Sequence, residues 1–179
     1  MYSIAIFTRN RKEELLTAIE SCFAQTYRPL EVLVFDDAST DDTETAVRRS
    51  FPEVRFFREE QNRGIAALRN RGFREARGEF VFSIDDDAYY TEPGAVGEVV
   101  AQFRRDPAAA VIAMPFIEPL RGALVPKELP GKKDSRTRLR AFIGCAYAIR
   151  RDVALGLGGC REFLFYPGEE RDLSIRLLD

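Results

Sequence analysis

The chain has 179 residues, 45% hydrophobic and 11% aromatic, which is enough apolar material to bury one core and form one domain. Its 27 Lys and Arg against 29 Asp and Glu leave a formal charge of −2, so no general field attracts nucleic acid or anionic lipid. Histidine is absent, which excludes an imidazole base, a Ser-His-Asp triad and a His-ligated zinc and leaves acid–base chemistry to carboxylates, Lys, Tyr or Cys.

Taken in order, short apolar runs alternate with amphipathic stretches, the pattern of βαβ units and a mainly parallel sheet. Ser3 to Phe7 is the first predicted strand. Leu15, Ile19, Cys22 and Phe23 then recur at helical spacing, predicting a helix from about Lys12 to Ala24. Glu31 to Phe35 is a second strand. Ser39 with Asp42 resembles a capping box, opening a helix to about Arg49, and Val54 to Phe57 forms a third strand. Ile65, Leu68, Gly72, Phe73 and Ala76 predict a helix that stops at Gly78, placed in the left-handed position after the helix end. Glu79 to Ile84 is a buried strand.

A helix near Gly94 to Phe103 and a strand near Ala109 to Met114 follow. Glu118 to Arg140, rich in Pro, Gly and basic residues, reads as a long surface loop. Its Arg121, Lys127, Lys132, Lys133, Arg136, Arg138 and Arg140 suit either a solvated face or phosphate contact. Phe142 to Ile149 is a further strand, and a last helix begins near Gly168. Cys22, Cys145 and Cys160 fit neither a disulfide framework nor a CxxC metal site, so a reducing, cytosolic setting is expected. The N-terminus lacks a signal-peptide pattern, and the longest apolar run, Ala108 to Phe116, is too short for a bilayer.

In an open parallel sheet, ligands bind beyond the carboxyl ends of the strands. Strand one delivers Thr8, Arg9 and Asn10 there, strand two Asp36 and Asp37, and the strand ending at Ile84 delivers Asp85, Asp86 and Asp87. Three successive aspartates repel one another, and a hard divalent ion sharing its shell with substrate phosphates relieves that repulsion. A solvated acidic turn is the plain alternative. Ser39 to Asp42 are explained as helix-start residues, whereas Asp36 and Asp37 are not, and a carboxylate at that place can accept from a base or ribose. Neither GxGxxG nor GxxxxGK[ST] occurs. Arg69, at the edge of a buried helix face, needs an anionic partner, either a structural acid or a ligand. The acids after Tyr166-Pro167-Gly168 suit helix capping or a general base acting on a hydroxyl.

The runs Ser3-Ile-Ala-Ile-Phe-Thr-Arg-Asn-Arg, Ser21 through Gln25-Thr-Tyr, Val34-Phe-Asp-Asp-Ala-Ser-Thr-Asp-Asp-Thr, Asn62-Arg-Gly, Arg69-Asn-Arg-Gly, Ala76-Arg-Gly-Glu and Ile84-Asp-Asp-Asp, in this order, resemble the family 2 glycosyltransferases. The closing Gly158-Gly, Phe163 and Gly168-Glu-Glu-Arg-Asp-Leu-Ser-Ile-Arg-Leu resemble the acidic block of that family's acceptor half. The resemblance implies an α/β GT-A fold with a mainly parallel central sheet, helices on both faces and a Rossmann-like N-terminal half. It implies an inverting hexosyl transfer from a nucleotide sugar, most often a UDP-sugar, to a saccharide, lipid-linked or other hydroxyl acceptor, with Mn²⁺ or Mg²⁺.

By the same resemblance, Thr8, Arg9 and Asp37 line the base and ribose pocket, with Asn10, Asn62 and Arg69 assigned to the nucleotide as well. Asp85 to Asp87 match the DxD-type motif, with Asp87, and Asp85 beside it, toward the metal and Asp85 or Asp86 toward the ribose. Glu170 falls where the family has its aspartate base, and Asp172 competes for that role. Arg9 stands where the family frequently has Tyr. One domain over residues 1–179 is expected, 1–90 holding the nucleotide sugar and 91–179 forming an acceptor-side half incomplete at its C-terminus. A non-catalytic nucleotide-sugar-binding module is the alternative; a nucleotidyltransferase lacks its glycine-rich loop here, since Thr8-Arg9-Asn10-Arg11 holds that place. Cytoplasmic location, or peripheral attachment at the inner face of a membrane, is expected.

Overall fold

The computed structural model describes residues 1–118, 123–125 and 141–178. Its elements are β1 (Tyr2–Thr8), α1 (Lys12–Phe23), β2 (Leu30–Asp36), α2 (Thr43–Ser50), β3 (Arg55–Arg58), α3 (Ile65–Glu75), β4 (Phe80–Asp85), α4 (Ala95–Arg105), β5 (Val111–Ala113), β6 (Phe116–Glu118), β7 (Ala123–Val125), β8 (Ala146–Arg150), α5 (Arg151–Gly156) and α6 (Glu169–Arg176). β1 is buried along its whole length, as a strand covered on both faces must be. The two-residue side-chain period sorts it between two cores. Tyr2, Ile4 and Ile6 join Val32, Val34, Phe80 and Phe82 under α1 and α4, while Ala5 and Phe7 join Leu33, Phe35 and Val81 under α3, Ala154 of α5 and Leu173 of α6.

The main sheet has six strands in the order β3-β2-β1-β4-β8-β5. β1 to β4 run parallel, with Thr8 opposite Asp36 and Phe7 opposite Asp85. β8 is antiparallel to both β4 and β5, so the expected mainly parallel sheet carries one reversed strand. β6 and β7 form a separate antiparallel pair. The predicted strand from Phe142 is shorter, beginning at Ala146, and α5 is an element that the sequence pattern did not reveal. Six residues carry too little helical period to read.

Two local expectations are corrected. Ser39 does not cap α2: the buried Asp36 carboxylate captures the Ser39 hydroxyl, and Asp41 meets the Thr43 amide at 3.1 Å instead. Gly78 is not a left-handed helix end, because α3 stops at Glu75 and Ala76 is already extended. Glycine is needed there for space, since a Cβ would lie 2.6 Å from the Ser3 amide nitrogen and the Tyr2 Cα. The seven basic residues of the predicted surface loop lie outside the described residues. Among the described residues no helix is long and apolar enough to cross a membrane.

Candidate active site

The chain winds from β1 through β2 to β3 in one direction and then places β4 on the other side of β1. Strand order reverses between β1 and β4, and in such sheets the crevice outside the carboxyl ends at that point is where ligands bind. A cavity of about 550 Å³ opens there. Its lining comes from two parts of the chain, Thr8, Arg9, Arg11, Asp37, Asn62, Gly64, Arg69 and Asp85 to Asp87 from the N-terminal part and Ile143, Gly144, Cys145, Phe165 to Pro167, Glu169 and Glu170 from the C-terminal part, and we refer to the two as its walls. The converging strand ends expected from the sequence therefore meet in one place.

Asp85 ends β4, and Asp86 and Asp87 continue into the turn. Burial, and then the neighbouring Asp87 and Asp86, push the Asp85 carboxyl above the usual carboxylate range against the pull of Arg69. Burial likewise raises Asp86. A cation placed beside them would pull both carboxyls back down. The donor set is all oxygen, which fits a hard divalent ion. Among the described residues no three such side chains are grouped to hold an ion by themselves, so an ion there would need further ligands from phosphate and water. The Thr8 hydroxyl, buried in the same wall, makes no well-formed hydrogen bond among the described residues and lies close enough to Asp86 to oppose the effect of burial on its carboxyl.

Two arginines balance the run, one of which the sequence reading did not assign. Arg11 places Nη1 2.5 Å from Asp87 and 3.4 Å from Asp86. Arg69 is buried: its Nη2 donates to the Gly144 carbonyl at 3.1 Å and lies 3.4 Å from Glu169 and 4.0 Å from Asp85. Its guanidinium also packs on the rings of Phe7 and Tyr147. Burial alone would lower its pKa, but Tyr147, Glu169 and Asp85 carry it upward. Arg69 thus has acid partners from both parts of the chain and also lines the cavity. Gly144 permits this contact, because a Cβ there would stand 2.6 Å from Arg69 Nη2.

Asp36 and Asp37 separate. Asp36 is fully buried and holds Ser39 and Arg58, outside the cavity. Asp37 lines the cavity and accepts the amides of Arg63 at 2.6 Å and Gly64 at 3.1 Å, with lone pairs left for a ligand. Asn62 and Arg9 also line the wall. Asn10 does not: it accepts the Thr40 amide at 2.7 Å and donates its own amide to Ser39, bracing the β1 and β2 loops against each other. Asn10, expected at the nucleotide, is outside the cavity lining and has a left-handed backbone (φ 54°).

On the opposite wall, α6 opens with Glu169 and Glu170. Successive helix residues point about 100° apart, so Glu169 is buried against Arg69 while Glu170 is partly exposed to the cavity. Burial raises the Glu169 carboxyl, opposed by Arg69. Asp172 is not in the cavity wall; Arg161 at 3.1 Å and Arg176 at 2.8 Å hold its two oxygens. Burial pushes the Cys145 thiol up to about 12, so it stays protonated at neutral pH and offers no nucleophile. Phe165 and Tyr166 complete the mouth with exposed aromatic faces.

The sequence and the fold are similar to those of known proteins. Chondroitin synthase from Escherichia coli is 34% identical over 115 residues, 63% of this chain and 16% of that protein. Mannosyltransferase PcManGT from Pyrobaculum calidifontis, solved with GDP-Man and Mn²⁺, is 23% identical at a TM-score of 0.76 over 97% of this chain and 50% of that one. S. aureus TarS 1–349 in complex with UDP is 19% identical at a TM-score of 0.76, over 94% and 52% of the respective chains. The chain thus spans about half the length of these solved relatives, and the likeness identifies its architecture as the GT-A fold. The profile of Glycosyl transferase family 2 matches residues 3–153, and the chain belongs to that family.

Proposed function

We propose that the chain carries the donor site and the catalytic base of an inverting, metal-dependent glycosyltransferase that moves a hexosyl group from a nucleoside diphosphate sugar, first of all a UDP-sugar, to an acceptor hydroxyl. The observation that carries this reading is one cavity at the sheet's reversal point with the aspartate run on one wall and Glu170 on the other. A donor diphosphate beside the aspartate run and an acceptor hydroxyl beside Glu170 would share this one cavity, as transfer between them requires. The Mn²⁺ of the mannosyltransferase complex and the UDP of the TarS complex agree with a nucleotide and a divalent ion in such a fold.

In this proposal Thr8, Arg9, Asp37 and Asn62 receive the base and ribose, and Asp85 or Asp86 completes the ribose contact. Asp87, with Asp85, holds Mn²⁺ or Mg²⁺, which when bound supplies Lewis-acid stabilisation of the departing diphosphate. Glu170 takes the proton of the acceptor hydroxyl as its oxygen attacks. The role falls to Glu170 over Asp172 because both Asp172 oxygens are ion-paired and lie off the cavity wall. Phe165 and Tyr166 offer stacking faces for a saccharide acceptor beside the base.

The test is thermal unfolding with UDP and Mn²⁺, alone and together. At a hundredfold excess over Kd, the pair should raise Tm by about 5–10 °C. Asp87→Asn should lose the part that needs the cation, and Glu170→Gln should keep the shift while losing sugar transfer. No joint shift, or an undiminished one in Asp87→Asn, removes the metal-diphosphate site. Transfer at wild-type rate by Glu170→Gln moves the base elsewhere.

A further inference from the structure

We propose that Arg11 is a placeholder cation, seated on Asp87 of the proposed metal pair and on the adjoining Asp86 until a nucleoside diphosphate arrives, so that cation and nucleotide bind together and neither binds tightly alone. The inference rests on the assignment of the aspartate run as the cation site. Arg11 Nη1 lies at contact distance from both carboxylates, and among the described residues no other Lys or Arg is within ion-pair reach of either. A divalent ion entering beside a seated guanidinium meets a like charge a few ångströms away.

Arg11 is able to leave. Its side chain is 51% exposed, and its guanidinium makes no other hydrogen bond among the described residues. Arg69, by contrast, is enclosed by Glu169, Gly144 and Tyr147 and stays where it is. The backbone that carries Arg11 is braced too, since neighbouring Asn10 is tied to Ser39 and Thr40, so the movement is confined to the side chain.

Charge makes the exchange conditional. Arg11 is the cation paired with Asp86 and Asp87, whereas Arg69 is shared between Asp85 and Glu169. A divalent ion that binds alone must part Arg11 from its two carboxylates and leaves that guanidinium without an anionic partner. A diphosphate brings at least two negative charges of its own, and Arg11, already in the cavity wall, has phosphate oxygens to turn to when the ion takes its place.

The experiment is Mn²⁺ binding without nucleotide, read from the electron paramagnetic resonance of free Mn²⁺, and then repeated with UDP. Arg11→Gln should bind Mn²⁺ alone about tenfold more tightly than wild type, because a contact-distance repulsion is gone. It should also lose most of the enhancement that UDP gives to Mn²⁺ binding. Arg11→Lys, which keeps the charge, should resemble wild type, and so should Arg48→Gln, which removes an arginine paired with Glu44 on the surface of α2. Far-UV circular dichroism establishes that each variant is folded. Wild-type Mn²⁺ affinity in Arg11→Gln, with the UDP enhancement intact, overturns the placeholder role and leaves the cation site standing. Mn²⁺ binding that Asp87→Asn does not weaken, with or without UDP, overturns the cation site itself and this inference with it.

Discussion

Arg69→Met tests how the two walls of the cavity are joined. The substitution preserves much of the side-chain volume and removes the charge that faces Glu169 at 3.4 Å and Asp85 at 4.0 Å. Glu169, whose side chain is 5% exposed, is then left as a buried acid without a cation, and its Oε2 already lacks a hydrogen-bond donor. Breaking a buried pair from one side costs roughly 3–5 kcal/mol. Methionine recovers part of that through contact with Phe7 and Tyr147, so the expected loss is about 3 kcal/mol, or about 6–12 °C in Tm. Removing both charges, Arg69→Met with Glu169→Leu, should cost less than the sum of the two single changes, with a coupling of about 2 kcal/mol. Urea unfolding at constant m is the assay. A loss below about 0.5 kcal/mol for Arg69→Met, or strict additivity, would refute the claim that this pair is a buried joint.

Two further predictions concern the opposite end of the sheet. Glu31 accepts from the Ser3 hydroxyl and the Arg77 amide at 2.6 Å each and from Arg55 at 2.8 Å; burial alone would raise its pKa, but these three bonds outweigh burial and lower it. A lowered carboxylate stabilises the fold above its unfolded pKa of about 4.3 and loses that contribution as pH falls through the lower folded value. Glu31→Gln should therefore cost about 1–3 kcal/mol at pH 7, with the difference from wild type shrinking below pH 4; a pH-independent difference would contradict the linkage. Gly78→Ala drives a methyl into the β1 backbone and should destabilise by about 1–3 kcal/mol. A neutral or stabilising effect in thermal unfolding would show that β1 yields at Ser3.

Much of this molecule follows from its sequence alone. The alternation of apolar runs with helical stripes places β1 to β4, α1, α3 and α4 within a residue or two, and α2 except for its start, because a strand covered on both faces reads as a continuous apolar run and a helix packed on one face repeats at 3.6. The gathering of Thr8, Asp37 and Asp85 to Asp87 is legible for a related reason. Parallel strands send their carboxyl ends to one edge whatever their side chains do. Where a decision rested on one local rule it failed: Ser39 looked like a cap and Gly78 like a left-handed terminus, but Ser39 is taken by Asp36 within the preceding turn and Gly78 packs on Ser3, seventy-five residues away across the sheet.

Only the tertiary structure decided which charges meet. Arg11 lies more than seventy residues from Asp87 and Arg69 a hundred from Glu169, and no period or spacing links them. Asn10, Asp172 and Glu170 are all plausible from their residue types, yet one braces a loop, one is locked between two arginines and one faces the cavity. The reversed direction of β8 belongs to the same class, since a short apolar strand reads identically both ways. Backbone periodicity is a local property that the solvent sorts into faces, whereas the partner of a charged side chain is set by how those faces close on one another.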